Sequence, residues 1–384
     1  MVKFDEIAQS VNVRVDPTDT DLDIYVGLEH LDPESLKIRR WGTPEDVIGQ
    51  KLGFKKGDII FGKRRAYQRK LAVAEFDGIC SAHAMVLRPK TDLVTPEFLP
   101  FLMQSDMFMN RAVEISVGSL SPTINWKTLR VQEFPLPPKD EQCRIAEILW
   151  AADGCHSVIR DSIPQCRLSQ KVVFRDFARN SCKSSHKTVG DAILRVIAGK
   201  SPQGSSNPAN DDEYGVLKVS AVGEHGFVER ENKSLINQSG FNPELEVRAD
   251  FLLVTRANAN RSGVGRACVV AATRTGLMLS DKTLRLVDNP KRVRQRFLLQ
   301  ALKSRECRRH IEAEANGTEA KNISQVKLKN APIWLPSLEE QDQVLEVLSC
   351  FDASIESLEK HLVATNMARQ VLREKLLLGH AYVQ

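Results

Sequence analysis

The sequence lacks the features that mark membrane and secreted proteins. No apolar run in its 384 residues approaches the roughly 18 residues that a membrane-spanning helix needs. The first residues include Asp5 and Glu6 and are too acidic for a signal peptide. We therefore expect a chain without membrane contact that stays in the cytoplasm.

Cysteine is present, but not in a pattern that indicates chemistry. The chain has no C-x-x-C pair and no cysteine–histidine pair with the spacing of zinc ligands. Isolated cysteines in a cytoplasmic chain are usually buried, reduced and equivalent to small apolar residues. We expect this of all eight and predict no metal site. They are Cys80, Cys143, Cys155, Cys166, Cys182, Cys268, Cys307 and Cys350.

Complete phosphate-binding and dinucleotide-binding motifs are missing as well. Gly199-Lys200-Ser201 ends like a phosphate loop, but Leu194 occupies the position of the required upstream glycine. Gly263-Val264-Gly265 lacks the third glycine of a dinucleotide site and indicates a turn. The net charge of +5 permits nucleic-acid binding without requiring it.

What the chain does contain is one long internal repeat. Leu136-Pro137-x-x-x-Glu141-Gln142 recurs as Leu335-Pro336-x-x-x-Glu340-Gln341, a shift of 199 residues. From Ser81 to Ile163 this shift needs no gap. The period is far longer than that of a solenoid repeat, so we predict a tandem duplication of a whole domain with an appended helix.

Nearer the start of each copy the shift changes. A shift of 192 residues pairs Asp58 with Asp250. At this shift Ala249 and Val254 replace two glycines of the first copy. Surface insertions are expected to cause the change, and the loop geometry of the second copy is expected to differ accordingly.

Both copies have the same predicted elements. Short apolar runs between Gly- and Pro-marked turns indicate strands, and residues 97–113 have the apolar face of a helix. After a proline-rich stop at 135–138, apolar residues recur at alternating steps of four and three. This pattern, over 145–166 and again over 344–362, is typical of a coiled-coil seam.

Two narrow seams are best buried against each other as an antiparallel coiled coil. The predicted fold is therefore α+β, with two mixed α/β domains separated by two long helices and related by an approximate two-fold. We expect a bend or break in the first helix at Gly154 and Pro164. A seam of about 25 residues is about 40 Å long, close to one turn of duplex DNA. The predicted boundaries are 1–138 for the first domain, 139–180 for the central helix, 181–337 for the second domain and 338–384 for the C-terminal helix.

A polar, basic loop follows a strand at the same place in each copy. Arg, Asn and Gln make bidentate contacts to guanine and adenine edges, and Lys binds phosphates. The two loops differ in chemistry although their flanks match, as two readers of unlike DNA half-sites would require. A merely solvated loop is the alternative. The candidate DNA-binding residues are Lys63, Arg64, Arg65, Tyr67, Gln68 and Arg69 in the first copy, and Arg256, Asn258, Asn260 and Arg261 in the second.

Other residues indicate less specific roles. The basic clusters 291–296 and 305–309 either follow DNA phosphates or form solvated helix faces. His83 and His310 have no adjacent acid or thiol and are expected to be structural or solvated. Asp58 and Glu75 flank the first basic loop and leave a metal-dependent nuclease as an alternative function.

Three segments resemble the specificity subunit of type I restriction–modification enzymes, and the resemblance covers nearly the whole chain. They are Tyr25–Asp32, Gly57–Arg65 and Pro135–Ile145. The resemblance implies two target-recognition domains that read a split DNA sequence, and two helices that fix the gap. It also implies that Pro137, Glu141 and Gln142, with their repeats Pro336, Glu340 and Gln341, mark the junctions between domain and helix.

The resemblance further implies a chain with no catalysis and no cofactor of its own. Such a subunit recruits two modification subunits, which bind S-adenosylmethionine and methylate adenine. Through them it recruits restriction subunits that translocate DNA with ATP. The sequence agrees, because it lacks the Asn/Asp-Pro-Pro-aromatic motif of an amino-methyltransferase and a complete phosphate loop of a helicase.

Overall fold

The structure is a computed structural model, which describes residues 1–180, 186–318 and 320–378. Two units emerge from its contacts: unit 1 comprises residues 1–162 and the chain from 358 onward, and unit 2 comprises 163–357. Within the described ranges, none of the helices combines the length and apolar character that a bilayer span demands.

Unit 1 is built on two four-stranded sheets. Its strands are β1 (Val2–Lys3), β2 (Ala8–Val11), β3 (Arg14–Val15), β4 (Tyr25–Val26), β5 (Lys51–Phe54), β6 (Ile59–Gly62), β7 (Leu71–Val73), β8 (Gly78–Cys80), β9 (Ala84–Pro89) and β10 (Glu133–Phe134). Its helices are α1 (Phe4–Ile7), α2 (Leu99–Gln104), α3 (Asp106–Glu114), α4 (Trp126–Leu129) and the first part of α5 (Lys139–Asn180). The sheets have the orders β2-β9-β6-β7 and β3-β5-β8-β4, and β1 pairs with β10.

Unit 2 repeats this plan with small changes. Its strands are β11 (His186–Thr188), β12 (Ile193–Ala198), β13 (Gly215–Leu217), β14 (Asn232–Ser234), β15 (Leu252–Thr255), β16 (Ala257–Asn258), β17 (Ala267–Val269), β18 (Leu277–Met278), β19 (Thr283–Asp288), β20 (Lys321–Asn322) and β21 (Pro332–Trp334). Its helices are α6 (Val189–Ala192), α7 (Gln295–Lys303), α8 (Arg305–Glu314), α9 (Gln325–Lys329) and the first part of α10 (Leu338–Leu378). The sheets have the orders β12-β19-β15-β17 and β14-β13-β18, with the pairs β11-β21 and β16-β20.

The matching sheets confirm the internal duplication and correct its register. In unit 1, Ile59 lies opposite Leu87. In unit 2, Leu252 lies opposite Leu286, which is the counterpart of Leu87 in the ungapped part of the repeat. Ile59 therefore corresponds to Leu252. The predicted pairing of Asp58 with Asp250 was wrong by a single position.

The corrected register has a physical cause in the backbone. Gly57 has a φ of +90°, and its counterpart Asp250 has a φ of +63°. Both residues turn the chain into a buried strand through the left-handed region, which aspartate tolerates better than most residues. The counterpart of Gly62 is consequently Thr255 rather than Val254.

Aromatic residues form much of the core of each unit. In unit 1, the Phe4 ring lies 5.2 Å from that of Phe108 and 5.9 Å from that of Phe134, between centroids. In unit 2, the Phe297 and Trp334 rings are 5.4 Å apart. These rings are large apolar groups whose packing joins helices α1, α3 and α7 to the short strand pairs β1-β10 and β11-β21.

Each long helix is continuous between its ends, so of the predicted bend or break at Gly154 and Pro164 the break was wrong. Helix α5 has 42 residues with Pro164 inside it. Pro164 is exposed. Proline has no N–H, so the backbone carbonyl four residues earlier loses its helical hydrogen bond. On the exposed face water can bond to that carbonyl instead, and the helix can continue past the proline.

Within each unit, α5 and α10 pack antiparallel, as the seams predict. In unit 1, Asp153 forms an ion pair with Arg369 at 3.2 Å, and one turn further His156 lies 3.1 Å from Thr365. In unit 2, Gln170 of α5 donates a hydrogen bond of 2.7 Å to Asp352 of α10. In unit 1, residue numbers rise along one helix as they fall along its partner.

The repeated glutamine explains the motif at the start of each long helix. Gln142 is fully buried; its Oε1 accepts the Thr95 N–H at 2.8 Å, and its Nε2 donates to the carbonyls of Leu93 and Pro137 at 2.9 Å each. Gln341 makes the same three bonds in unit 2, at 2.8, 2.9 and 2.9 Å. In each unit, the side-chain amide of this glutamine thus joins the domain to its long helix.

The cysteines depart in part from the expectation that all are buried. Cys80, Cys268 and Cys307 are buried, and burial raises the pKa of each thiol to about 12. Cys166 is partly exposed. Cys143, Cys155 and Cys350 are exposed, because they lie on outward faces of the long helices. Cys182 lies outside the described residues.

Candidate nucleic-acid interface

Basic loop 1, residues 63–70, connects β6 to β7 in the sheet β2-β9-β6-β7 of unit 1. Arg64 and Arg65 are exposed, and Tyr67 is 55% exposed. Arg65 and Arg69 have φ values of +58° and +54° and flank a short 3₁₀ turn. Non-glycine residues rarely adopt this conformation, and they retain it only where the surroundings hold the loop.

A second segment holds this loop, and sequence reasoning missed it. Tip segment 1, residues 116–123, leads into Ile124, whose N–H donates to the Lys63 carbonyl at 2.9 Å. The Arg65 N–H donates to the Pro122 carbonyl at 2.7 Å. Arg69 also forms an ion pair with Asp106 at the start of α3. At the shift of 199 residues, Gly118 repeats as Gly317 and Ile124 as Ile323, and this repetition was the sequence signal for the segment.

The turn between β8 and β9 brings His83 beside the loop. The Arg64 N–H donates to the His83 carbonyl at 3.3 Å, and the guanidinium lies 3.1 Å from His83 Nε2. Desolvation, and then the charges of Arg64, Lys63 and Lys51, lower the pKa of His83. Burial likewise lowers the pKa of Lys63. Repulsion from Arg64 and the two lysines thus contributes to the lowered pKa of His83, and an anion beside these residues would relieve it.

Basic loop 2, residues 256–266, occupies the same place in unit 2. Asn260 and Arg261 are exposed, whereas Arg256 and Asn258 are half-buried. Thr255, the residue before the loop, links its two arms, because the Thr255 hydroxyl donates a hydrogen bond of 2.6 Å to the Gly263 carbonyl. Asn258 Oδ1 accepts the Asn260 N–H at 3.3 Å.

Basic loop 2 is also held from α8 and from tip segment 2, residues 315–318 and 320–322. The guanidinium of Arg308 donates to the carbonyls of Val264 and Ser262 at 2.7 and 2.8 Å. The Ile323 N–H donates to the Arg256 carbonyl at 3.0 Å, the counterpart of the Ile124 bond in unit 1. Each unit thus brings its basic loop beside its tip segment.

The other basic clusters contain arginines with structural partners. Arg308, in the cluster 305–309, supports basic loop 2 as described. Arg294, in the cluster 291–296, forms a bidentate ion pair with Asp342 at 2.8 and 2.7 Å. His310 lies 3.2 Å from the Lys327 carbonyl, in keeping with a structural histidine.

A cleft in unit 2 contains lysines that sequence reasoning did not single out. It has a volume of about 390 Å³ and lies beside the β18–β19 turn. Lys218, Lys233 and Lys282 line it, together with Asp281. The Lys282 carbonyl accepts a hydrogen bond of 2.8 Å from the Arg256 N–H, and this bond connects the cleft to basic loop 2. These lysines are too far apart in sequence to form a recognisable cluster.

The acids of the nuclease alternative do not form a metal site. Asp58 is 1% exposed and accepts two hydrogen bonds from Arg88, at 2.7 and 2.8 Å. It also accepts the Lys55 N–H at 2.8 Å, so it stabilises the turn before β6. Glu75 is exposed. In the part of the chain that the structure describes, no three His, Cys, Asp or Glu side chains gather as metal ligands.

Comparisons with known proteins agree with this architecture. The model of the family "Type I restriction modification DNA specificity domain" matches residues 48–165 and 188–364. The EcoEI specificity subunit of Escherichia coli is 33% identical over 191 residues, 49% of this chain, but the chain covers only 32% of that subunit's length. The putative MjaX specificity subunit of Methanocaldococcus jannaschii is 24% identical over 383 residues, 93% of this chain and 87% of the relative.

A solved structure shares the fold over the whole length. The S subunit of a type I restriction–modification system from M. genitalium superposes with a TM-score of 0.57 at 15% identity, covering 98% of this chain and 95% of that one. The duplicated sheets, the two long helices and the two family matches lead to one conclusion: the chain belongs to the family of type I restriction–modification DNA specificity domains.

Proposed function

We propose that this chain is the sequence-specific DNA-binding subunit of a type I restriction–modification complex, and that each unit reads one half of a split target. One observation carries the proposal. The backbones of the two basic loops are held by equivalent bonds, from Ile124 to Lys63 and from Ile323 to Arg256, yet the loops present different side chains. Equivalent positions with unlike chemistry suit the reading of two unlike half-sites.

The proposed DNA contacts divide by side-chain chemistry. Arginine and amide side chains suit guanine and adenine edges, and lysine suits phosphates. Tyr67 offers a ring for stacking or for a backbone contact. The lysines of the unit 2 cleft extend the phosphate-binding surface. The base-contact candidates are Arg64, Arg65, Gln68, Arg69, Arg256, Asn258, Asn260 and Arg261, with Lys63 on phosphate.

The long helices are the proposed spacer and the proposed surface for partners. We assign the recognition domains to residues 1–138 and 181–337, and the spacer helices to 139–180 and 338–384. In this proposal two modification subunits dock on the chain and supply S-adenosylmethionine and methyl transfer to adenine. Restriction subunits supply ATP-driven translocation, and the chain itself, acting in the cytoplasm, has neither catalysis nor cofactor.

The test is reconstitution with the modification subunits. Methyl transfer to a random DNA library is measured for the chain alone, for the modification subunits alone and for the mixture, at a stated salt concentration. The proposal predicts methylation by the mixture only, at a split target. Methylation without the chain, or metal-dependent nicking by the chain that Asp58→Ala abolishes, would contradict it.

A further inference from the structure

Unit 1 exposes two aliphatic side chains beside its basic loop. Leu120 is 93% exposed and Val117 is 69% exposed, and both lie in tip segment 1. Single exposed apolar residues are common on protein surfaces and need no explanation. These two lie three residues apart in one turn, and that turn is bonded to the loop that carries Lys63, Arg64 and Arg65.

The turn is held firmly rather than being a loose loop. Val117 and Thr123 exchange two backbone hydrogen bonds, at 3.1 and 3.0 Å. Gly118 has a φ of +116°, which lets the chain reverse between them. Arg64 forms a β-bridge to Thr123 on the other side. The two ends of the turn that carries Leu120 are thus fixed by bonds to each other and to the loop that carries the arginines.

The duplicated half shows that the apolar tip is particular to unit 1. The backbone pairing is repeated, because Asn316 forms a bridge to Asn322 and Gly317 has a φ of +136°. In the ungapped part of the repeat, Val117 corresponds to Asn316, and Leu120 corresponds in sequence to a glutamate. The fold therefore needs the glycine turn but not the aliphatic side chains.

We propose that Leu120, supported by Val117, contacts the 5-methyl group of a thymine in the half-site of unit 1. This inference rests on the proposed function. Arg64 and Arg65 draw the tip toward DNA, and they reach guanine edges in the major groove. The thymine methyl is the apolar group that base pairs display in that groove, and phosphates offer none.

The experiment is a two-by-two comparison on the complete complex with its modification subunits. The half-site of unit 1 is the one whose recognition Arg64→Ala impairs. Each thymine in it is replaced in turn by uracil, which removes only the methyl group. Binding to both DNAs is measured for the wild-type complex and for Leu120→Ala. Val131→Ala, an aliphatic residue 49% exposed outside the basic loop and tip, is the matched control.

One uracil is expected to weaken wild-type binding about fourfold, the effect of exposing one methyl-sized group. The same uracil leaves Leu120→Ala unchanged, whereas Val131→Ala behaves like the wild type. Equal uracil effects in wild type and Leu120→Ala, or a unit 1 half-site without thymine, would overturn the inference. Failure of the wild-type complex to select any split target would instead overturn the proposed function. The thermal midpoint of Leu120→Ala should equal that of the wild type, because the side chain is exposed.

Discussion

Replacing Gln142 by methionine tests how each recognition domain is joined to its helix. Methionine has nearly the same length and volume, so the change removes the amide without opening a large cavity. Three hydrogen bonds are lost, and the Thr95 N–H and two carbonyls lose a buried partner. At about 1–2 kcal/mol for each of the three groups, the expected loss of unfolding free energy is about 3–6 kcal/mol.

Two other glutamines provide controls for this prediction. Gln341→Met removes the same three bonds in unit 2 and should cost as much there. Gln132 makes one exposed bond, to the Thr128 carbonyl at 2.9 Å, so Gln132→Met should cost under about 1 kcal/mol.

The assay is urea denaturation combined with amide hydrogen exchange in the peptides around residues 93–95 and 292–294. Each buried glutamine change should raise exchange first in its own unit. The reasoning is refuted if Gln142→Met and Gln132→Met shift the urea midpoint equally.

Three further predictions concern recognition, spacing and pH. Arg64→Ala and Arg256→Ala should each impair one half-site only, by about 5- to 150-fold in binding for a lost base contact. Loss of both half-sites together would contradict the domain assignment. We consider a variant with four residues inserted after Leu149 and four more before Arg373 in the paired helix, which lengthens each helix by about 6 Å. This variant should tolerate a longer gap between the half-sites, and an unchanged gap would refute the spacer proposal. Burial, and then the charge of Arg369, lower the pKa of His156, so folding disfavours its protonated form. The free energy of unfolding should therefore fall as the pH drops through the range where an unfolded histidine binds a proton. A thermal midpoint that falls equally from pH 7.5 to 5.5 in His156→Gln would contradict this.

The duplication and the long helices were predictable because they depend on regular patterns. A heptad seam and a repeated Leu-Pro-x-x-x-Glu-Gln motif are visible in one sequence. The bonds behind the motif were not, because Gln142 reaches Thr95 and Leu93, 47 and 49 residues away. The repetition of that glutamine at Gln341 indicated its importance without indicating its partners.

The errors have identifiable physical causes. The register was set on matching aspartates, Asp58 and Asp250, whereas the structure matches the left-handed turns at Gly57 and Asp250. A break was expected from Pro164 because its position on the outer face of the helix could not be known. The tip segments were missed because their contact with the basic loops is made only in the folded chain.

The candidate DNA-binding residues remain predictions, although the structure shows what each one is free to do. Arg65 and Asn260 are exposed within loops whose backbones are held by hydrogen bonds. Asn258 already uses its Oδ1 within basic loop 2, which leaves its amide hydrogens for a partner. Charge counts alone could not have separated these residues from Arg308, which is equally basic but serves the loop itself.

The central claim is that two unlike reading units share one chain. Its most direct test is sequencing of methylated adenines in cells that carry this chain with its modification subunit. The account predicts one motif with two different half-sites and a gap of constant length. An uninterrupted motif, two identical half-sites or a variable gap would contradict it.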